Sequence, residues 1–539
     1  MPKNYLIGIG GTGAKVVESV VNMCAAGYGP EELSVFLIDP DAGNGNLNKT
    51  ITLIKKYNLC YDALNIDALS NRTFFKTKIS ISKEDKGIYW SIFEENSSST
   101  LSSHIYYTIL KESFAESYLG DLVDVLFSEN ELKEPLNKGF RGHPSIGSVV
   151  MSDPPKDKDP FKEFFNDIKT KSNEHEVKVF LAGSIFGGTG AAGVPTLGAD
   201  NLIKGLGKLG EDKNSVLLGA ALILPYFSFS QNNDVTKEKM FVTNEDFPIA
   251  TKGALEYYSD KGLAFDQLYF IGDNLLQDVG EFSVGSSTQK NDPHYIEIVV
   301  GMAAFDFFNQ KIDKSTSEKK FFIAARDDNS IGWTDFPVAR EDTLVVPRQN
   351  GFKLLTSAFT TFAYSFCTYG KKARMPLDKM INKENYIKQD WYKKHEFDKV
   401  NDKTKLETDI RYSDNVTILN LFEEFLFLYL NWICAIDIDD NIKLIDSKQI
   451  LVKIKDSKSP PVIQDLIDPE NKSNISNLLK SHPDINEKFP SFLVNGLNQV
   501  NLTKKPFNKA AIKFLCTFYE GSMKFCAKNY NIQSEIKLN

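Results

Sequence analysis

Two glycine-rich junctions, each between an apolar strand and a helix, constrain this chain more than any other feature. The first follows the apolar run YLIGIG and reads GGTG before AKVVESVVNMCAAG, where Val16, Val17, Val20, Val21 and Cys24 recur at helical spacing; SVFLID then returns to strand. Strand, turn, helix and strand in quick succession make a βαβ unit, and such units build parallel sheets. The same grammar returns in VKVFLAG (177–183), the glycine turn SIFGGTGAAG and the helical VPTLGADNLIKGLG, followed by the buried strands VLLGAALILP (216–225) and FDQLYFIGDN (265–274). Residues 1–275 therefore read as a doubly wound α/β unit. Helical patterns at 352–368, 416–435 and 508–528 mark a helix-rich C-terminal region.

Gly8, Gly10 and Gly13 satisfy G-x-G-x-x-G between strand and helix. Glycine there permits a tight turn and close backbone approach, and the helix behind it turns free N–H groups and a positive dipole end toward phosphate. The pattern alone is a weak signal, since a ligand-free turn also uses it; between a strand and a helix a nucleotide phosphate site is the better reading. It is not a P-loop: Ala14-Lys15-Val16 follows Gly13, which turns the lysine about 100° around the helix and supplies no magnesium-binding hydroxyl. A dinucleotide-binding Rossmann domain is a rival, with Asp39 at the end of the second strand as the ribose acid. That reading leaves the second loop, Gly187 to Gly193, without a task. Two glycine-lined helix starts converging on one polyphosphate account for both.

With both loops in view, a family resemblance emerges. IFGGTGAAG resembles the GGGTGSG-type signature of tubulin and the bacterial division protein FtsZ, and YLIGIGGTGAKVVESVV resembles the first nucleotide loop of FtsZ. FIGDN (270–274) is similar to the I-D-N that ends a later strand in tubulin, and PHYIEIVVGMAAFDFFNQKI (293–312) stands where that family has its long central helix. The resemblance covers about residues 1–312 and is nearest to divergent bacterial tubulin-like proteins, which share a His-Pro/Pro-His segment and a W-x-D-x-P stretch. It implies a tubulin/FtsZ-like Rossmann-type GTPase domain over 1–290, a connecting helix over 291–312, and a second α+β activation or interface domain with a helical extension over 313–539. It further implies a GTP-binding protein that assembles head to tail into nucleotide-dependent filaments.

Site residues carry over position by position. Gly10, Gly11, Thr12 and Gly13 would line one side of the phosphates, and Gly187, Gly188, Thr189 and Gly190 the other, with Thr189 serving equally as a helix N-cap. Asp39 and Asp41, with Asn44 or Asn46, would hold Mg²⁺ near the terminal phosphate of GTP or GDP, although Asp, Asn and Gly also simply form turns. In KGFRGHPSIGS, Arg141 and Gly142, with Gly139, would meet the γ-phosphate; a solvated loop arginine is the alternative. Asp273 and Asn274 would accept from N1–H and N2–H of guanine, donors that adenine lacks, and His294 or Tyr295 would stack on the base. The family's acidic N-x-D-x-x-D/E loop has no counterpart after Phe308. Asp327 and Asp328 in ARDDNS are the catalytic candidates, with a solvated turn the favoured reading for both, so binding of GTP is better supported than its hydrolysis.

Charge limits the partners. The 63 Lys and Arg against 71 Asp and Glu leave a net −8, which disfavours a polyanion or anionic-membrane binder. The expected partner is a second copy of the chain, with the C-terminal region as a further protein-binding surface and no direct nucleic acid or membrane contact. Six widely spaced cysteines form no metal knuckle and suit the reduced cytoplasm. No signal core opens the chain, and its longest apolar stretch, Val216 to Phe227, falls short of the roughly 20 residues of a membrane span. Two other functions stay open: a non-hydrolysing nucleotide-binding scaffold or sensor, for example in antiphage defence, and an NAD(P)-dependent Rossmann enzyme.

Overall fold

The computed structural model describes residues 3–65, 73–81, 89–91, 98–112, 117–140, 142–152, 159–197, 216–230, 244–261, 265–281, 287, 289–312, 320–324, 330–336, 351–371, 389–395, 397, 409–436, 444–445, 447–452, 462–463, 489–502, 507 and 509–529. Its sheet strands are β1 (Lys3–Ile9), β2 (Glu32–Ile38), β3 (Lys78–Ser80), β4 (Tyr89–Trp90), β5 (Val177–Ser184) and β6 (Val216–Ile223). A short ladder pairs β7 (Phe227–Ser230) with β9 (Gln277–Glu281), and β8 (Gln267–Ile271) and β10 (Lys320–Ala324) complete the main sheet.

The main sheet runs β10-β8-β6-β5-β1-β2-β3, with β4 beside β2, and its ladders are parallel. From β1 the chain first steps outward through β2 and β3, then restarts at β5 on the other flank of β1 and steps away through β6, β8 and β10. The strand order therefore reverses between β1 and β5, and in open α/β sheets ligands bind at such a switch point, outside the strands' carboxyl ends. Both glycine loops leave the sheet there. The class is α/β, doubly wound, with a helix-rich C-terminal region, consistent with the tubulin/FtsZ-like architecture that the resemblance implies.

Strand alternation sends side chains into two cores. Tyr5, Ile7 and Ile9 face one core, and Leu6 the other. The first core lies under α3 (Pro144–Met151) and α4 (Phe161–Ser172). The second lies under α1 (Gly10–Ala25), α2 (Gly45–Asn65) and α7 (Tyr295–Asn309); between these groups fall α5 (Gly188–Gly193) and α6 (Asp246–Lys261). The helix expected from Val194 already begins at Gly188 and stays helical through Leu197. The reason is local, since the glycines themselves form the first turn; residues 198–215 lie outside the described chain.

The C-terminal helices α8 (Gly351–Ser365), α9 (Ser413–Ile436), α10 (Phe489–Gln499) and α11 (Ala510–Asn529) continue the second core without a break. Phe75 of the loop after α2 packs edge-on against Phe422 and Phe425 and at a tilt against Phe359. Helix α9, at 24 residues, is long and apolar enough to cross a membrane by length and composition, unlike the shorter stretch singled out from sequence. Here Leu419, Phe422, Phe425, Leu426, Tyr429 and Leu430 bury its apolar face in the core.

Candidate functional site

A cavity of about 200 Å³ opens at the carboxyl ends of β1, β5 and β6. Its floor is the meeting of the two glycine loops. Gly10 holds φ +73°, and a Cβ there would lie 3.3 Å from Thr189 Cβ and 3.6 Å from the Gly190 nitrogen. A side chain at this position would be strained by backbone and neighbour alike. Gly13 lies just behind, outside the cavity lining, where a Cβ would come within 2.6 Å of the Gly8 carbonyl carbon and 2.7 Å of the Ala182 oxygen. Its missing side chain lets α1 start pressed against the sheet, so the amides of its first turn face the cavity.

The second loop supplies Ser184 and Gly187 through Gly190. Against it rests the segment before α3: a Cβ at Gly188 would lie 3.0 Å from the Gly142 nitrogen and 3.0 Å from Phe140 Cβ. Gly142 thus joins the wall, whereas Arg141 lies outside the described residues. Asp327 and Asp328 also lie outside them.

The third wall is the loop from Asp39 to Asn46, a run of side-chain-to-backbone turns that starts α2. Asp39 Oδ1 accepts from the Asp41 N–H (2.9 Å), Asp41 Oδ1 from the Gly43 N–H (3.0 Å), and Asn44 Oδ1 from the Asn46 N–H (2.9 Å). The Asn44 amide also donates to Asp39 Oδ2 (3.3 Å) and to Gln289 Oε1 (2.9 Å), while the Asn291 N–H donates to Asn46 Oδ1 (3.0 Å). The segment before α7 is thereby tied to the loop after β2. Burial pushes the Asp39 carboxyl up to about 8, with the charge of Asp41 adding to the rise and the Asp41 N–H opposing it.

Two neighbouring carboxylates in a cavity suit Mg²⁺, which keeps most of its waters and takes one or two carboxylates alongside a ligand's phosphates. A dication beside Asp39 would also reverse the penalty that holds its proton. The donor set therefore fits that ion. Among the described residues no group of three or more His, Cys, Asp or Glu side chains gathers to hold a metal without a ligand's help.

The fourth wall is aromatic. Phe186, Tyr226, Phe227, Phe229 and Phe247 interlock, with ring centroids 4.8 Å apart for Phe186 and Phe247 and 5.0 Å for Tyr226 and Phe227. Beside Tyr226 stands Lys15, whose ammonium lies 5.6 Å from that ring's centroid and 2.6 Å from Glu297 Oε1. Tyr226 donates to Glu297 Oε1 (3.0 Å), and burial together with that carboxylate pushes its phenol well above the ordinary value.

Asp273 and His294 sit together outside the cavity lining. His294 caps α7, its Nδ1 accepting from the Ile296 N–H (3.3 Å), its own N–H donating to Glu297 Oε2 (3.1 Å), and its Nε2 4.0 Å from Asp273 Oδ2. Its ring packs 5.0 Å from Tyr226 and 4.6 Å from Tyr295. Asn274 is exposed beyond them. Thus Gly10, Gly11, Thr12, Asp39, Asp41, Gly142, Gly187, Gly188, Thr189 and Gly190 line one cavity, and Gly13, Asp273, Asn274 and His294 do not.

Lys15, the aromatic wall and Gln289 to Asn291 join the cavity without being marked as site residues by any motif in the sequence. The run LPYFSFS after β6 carried a usable signal, because so many rings at the end of a buried strand suggest a platform. Lys15 fails the P-loop spacing, and its neighbours in sequence give it no other role.

No protein-family model and no curated protein matches the sequence. The chain is similar in structure to CetZ2 from Haloferax volcanii, solved as a GTPγS-bound protofilament, with 13% identity and a TM-score of 0.26 over 59% of this chain. It covers 64% of that protein, less than two thirds of its length. So slight a likeness assigns neither family nor ligand.

Proposed function

We propose that the cavity binds a nucleoside triphosphate, GTP in preference, with its phosphates between the two glycine loops. The observation that carries this reading is the closeness of Gly10 to Thr189 and Gly190, which places the amides of two strand-to-helix turns around one space. A dinucleotide enzyme needs only the first loop; here the second forms half of the cavity floor. Asp39 and Asp41 would hold Mg²⁺ against the terminal phosphates, where it neutralises their charge. The aromatic wall would take the base by stacking. Head-to-tail self-association, with nucleotide state setting the strength of the contact, extends the reading through the tubulin/FtsZ resemblance of both loops, and heterologous contacts of that kind build filaments.

Equilibrium binding of GTP, GDP, ATP and NAD with and without Mg²⁺, paired with light scattering and phosphate release, tests it. Magnesium-dependent GTP binding is the expected result, with scattering that rises in GTP. Selective NAD binding, or no nucleotide binding at all, would overturn the nucleoside triphosphate reading. GTP binding with unchanged scattering would remove the filament and leave a nucleotide-binding scaffold.

A further inference from the structure

Of the three lysines that line the cavity among the described residues, Lys138 and Lys290 are exposed and Lys15 is buried. Lys15 lies five positions beyond Gly10 on α1, which carries it about 7.5 Å along the helix axis from the amides that face phosphate. It stands instead at the aromatic wall, beside Tyr226. Glu297, which does not line the cavity, pairs with its ammonium at 2.6 Å, and that carboxylate is itself held by the Tyr226 hydroxyl and the His294 backbone N–H. An ammonium has three protons, so this pairing leaves others to donate into the cavity.

Resting on the nucleotide reading above, we infer that Lys15 is the base-specificity residue, its ammonium donating to O6 and N7 of guanine. Those two acceptors lie side by side on one edge of guanine, whereas adenine presents an N6 amino donor in place of O6. A buried cation facing that donor loses an acceptor and meets like polarity, so adenine is disfavoured. Asp273, the carboxylate that the sequence offered for the N1–H and N2–H edge, is buried against His294 and does not line the cavity. Guanine is thus read on its O6/N7 edge.

Base analogues test this on the unaltered protein. Equilibrium binding with Mg²⁺ is measured for GTP, ITP, 7-deaza-GTP, ATP and inorganic tripolyphosphate. ITP lacks only the N2 amino group and should bind within about threefold of GTP, while 7-deaza-GTP and ATP should bind roughly tenfold or more weakly. ITP falling with ATP while 7-deaza-GTP matches GTP would overturn the inference in favour of a carboxylate at the other edge. A second measurement uses Lys15→Met combined with Glu297→Gln, so that no lone charge is left buried. The ratio of GTP to ATP affinity should collapse toward one; both weakening together with the ratio kept would mean that Lys15 contacts phosphate, and the inference fails. Triphosphates that bind without base discrimination also overturn it while leaving the nucleotide reading intact. If neither nucleotides nor tripolyphosphate bind, it is the nucleotide reading itself that fails.

Discussion

The indole Nε1 of Trp432 donates to the hydroxyl of Ser19 at 3.2 Å, joining residues 413 apart in the chain. Ser19 lies on α1, the helix whose first turn faces the cavity, and Trp432 lies on α9 in the C-terminal region. Both are buried in the same core, so α8 to α11 act as a cover for the face of α1 and α2. Trp432→Phe should cost about 1 kcal/mol, the net worth of a hydrogen bond, and Trp432→Ala about 3–5 kcal/mol, the range for emptying a large buried ring. Denaturant titration of the full chain should show a single transition that both variants shift. A chain ending at residue 312 should lack cooperative unfolding, because that face would be stripped of its cover. A fragment that unfolds cooperatively on its own would refute this dependence.

Gly10 is the most sensitive position of the first loop. Gly10→Ala must hold a left-handed backbone that costs an L residue about 1–2 kcal/mol, and its methyl would press on Thr189. The loops would part slightly, and nucleotide affinity should fall at least about tenfold, since 1.4 kcal/mol is a factor of ten. Calorimetric titration alongside thermal unfolding separates the two effects. An affinity equal to that of the parent protein would show that the floor does not touch the ligand.

The two junctions were legible because local rules set them: apolar runs, glycine turns and helical spacing need no distant partner. The cavity's first, second and third walls follow from those segments. What stayed hidden depends on contacts across the fold. Lys15 gains its place from Glu297 on α7, and nothing in the sequence near Lys15 points to that partner. Asp273 at the end of a strand looks like a base reader until His294 packs on it as the cap of α7. The core shared by α1, α2 and the C-terminal helices was equally invisible, because amphipathic periodicity shows that a face is buried and not what buries it.

Asp39 makes stability depend on pH. Its folded value of about 8 stands above the 3.8 of an unperturbed carboxyl, so the folded chain binds this proton more tightly than the unfolded one. Its contribution is complete below the unfolded value and is lost as pH rises through the folded one, which sets a window from about 4 to 8. In that window the slope approaches about 1.4 kcal/mol per pH unit for one proton. Asp39→Asn should flatten it, as should saturating nucleotide with Mg²⁺, which favours the ionised carboxyl. Urea midpoints at several pH values check this; parallel profiles for parent and variant would remove Asp39 as the cause.

Lys178 separates stability from binding. It sits near the start of β5, buried, and its ammonium donates to the carbonyls of Phe308 (2.9 Å) and Gln310 where α7 ends. Cations are favoured at that end of a helix, and these carbonyls have no intrahelical partner to replace the lysine. Lys178→Met keeps the stem's packing and leaves them facing a thioether, at a cost of about 2–4 kcal/mol. The glycine loop lies at the opposite end of the same strand, about 20 Å away. The variant should therefore unfold at lower denaturant while its nucleotide affinity changes less than about threefold, well under 1 kcal/mol. If affinity falls in step with stability, α7 carries the disturbance along its length to Glu297 and the cavity, and the two ends of the helix are energetically one unit.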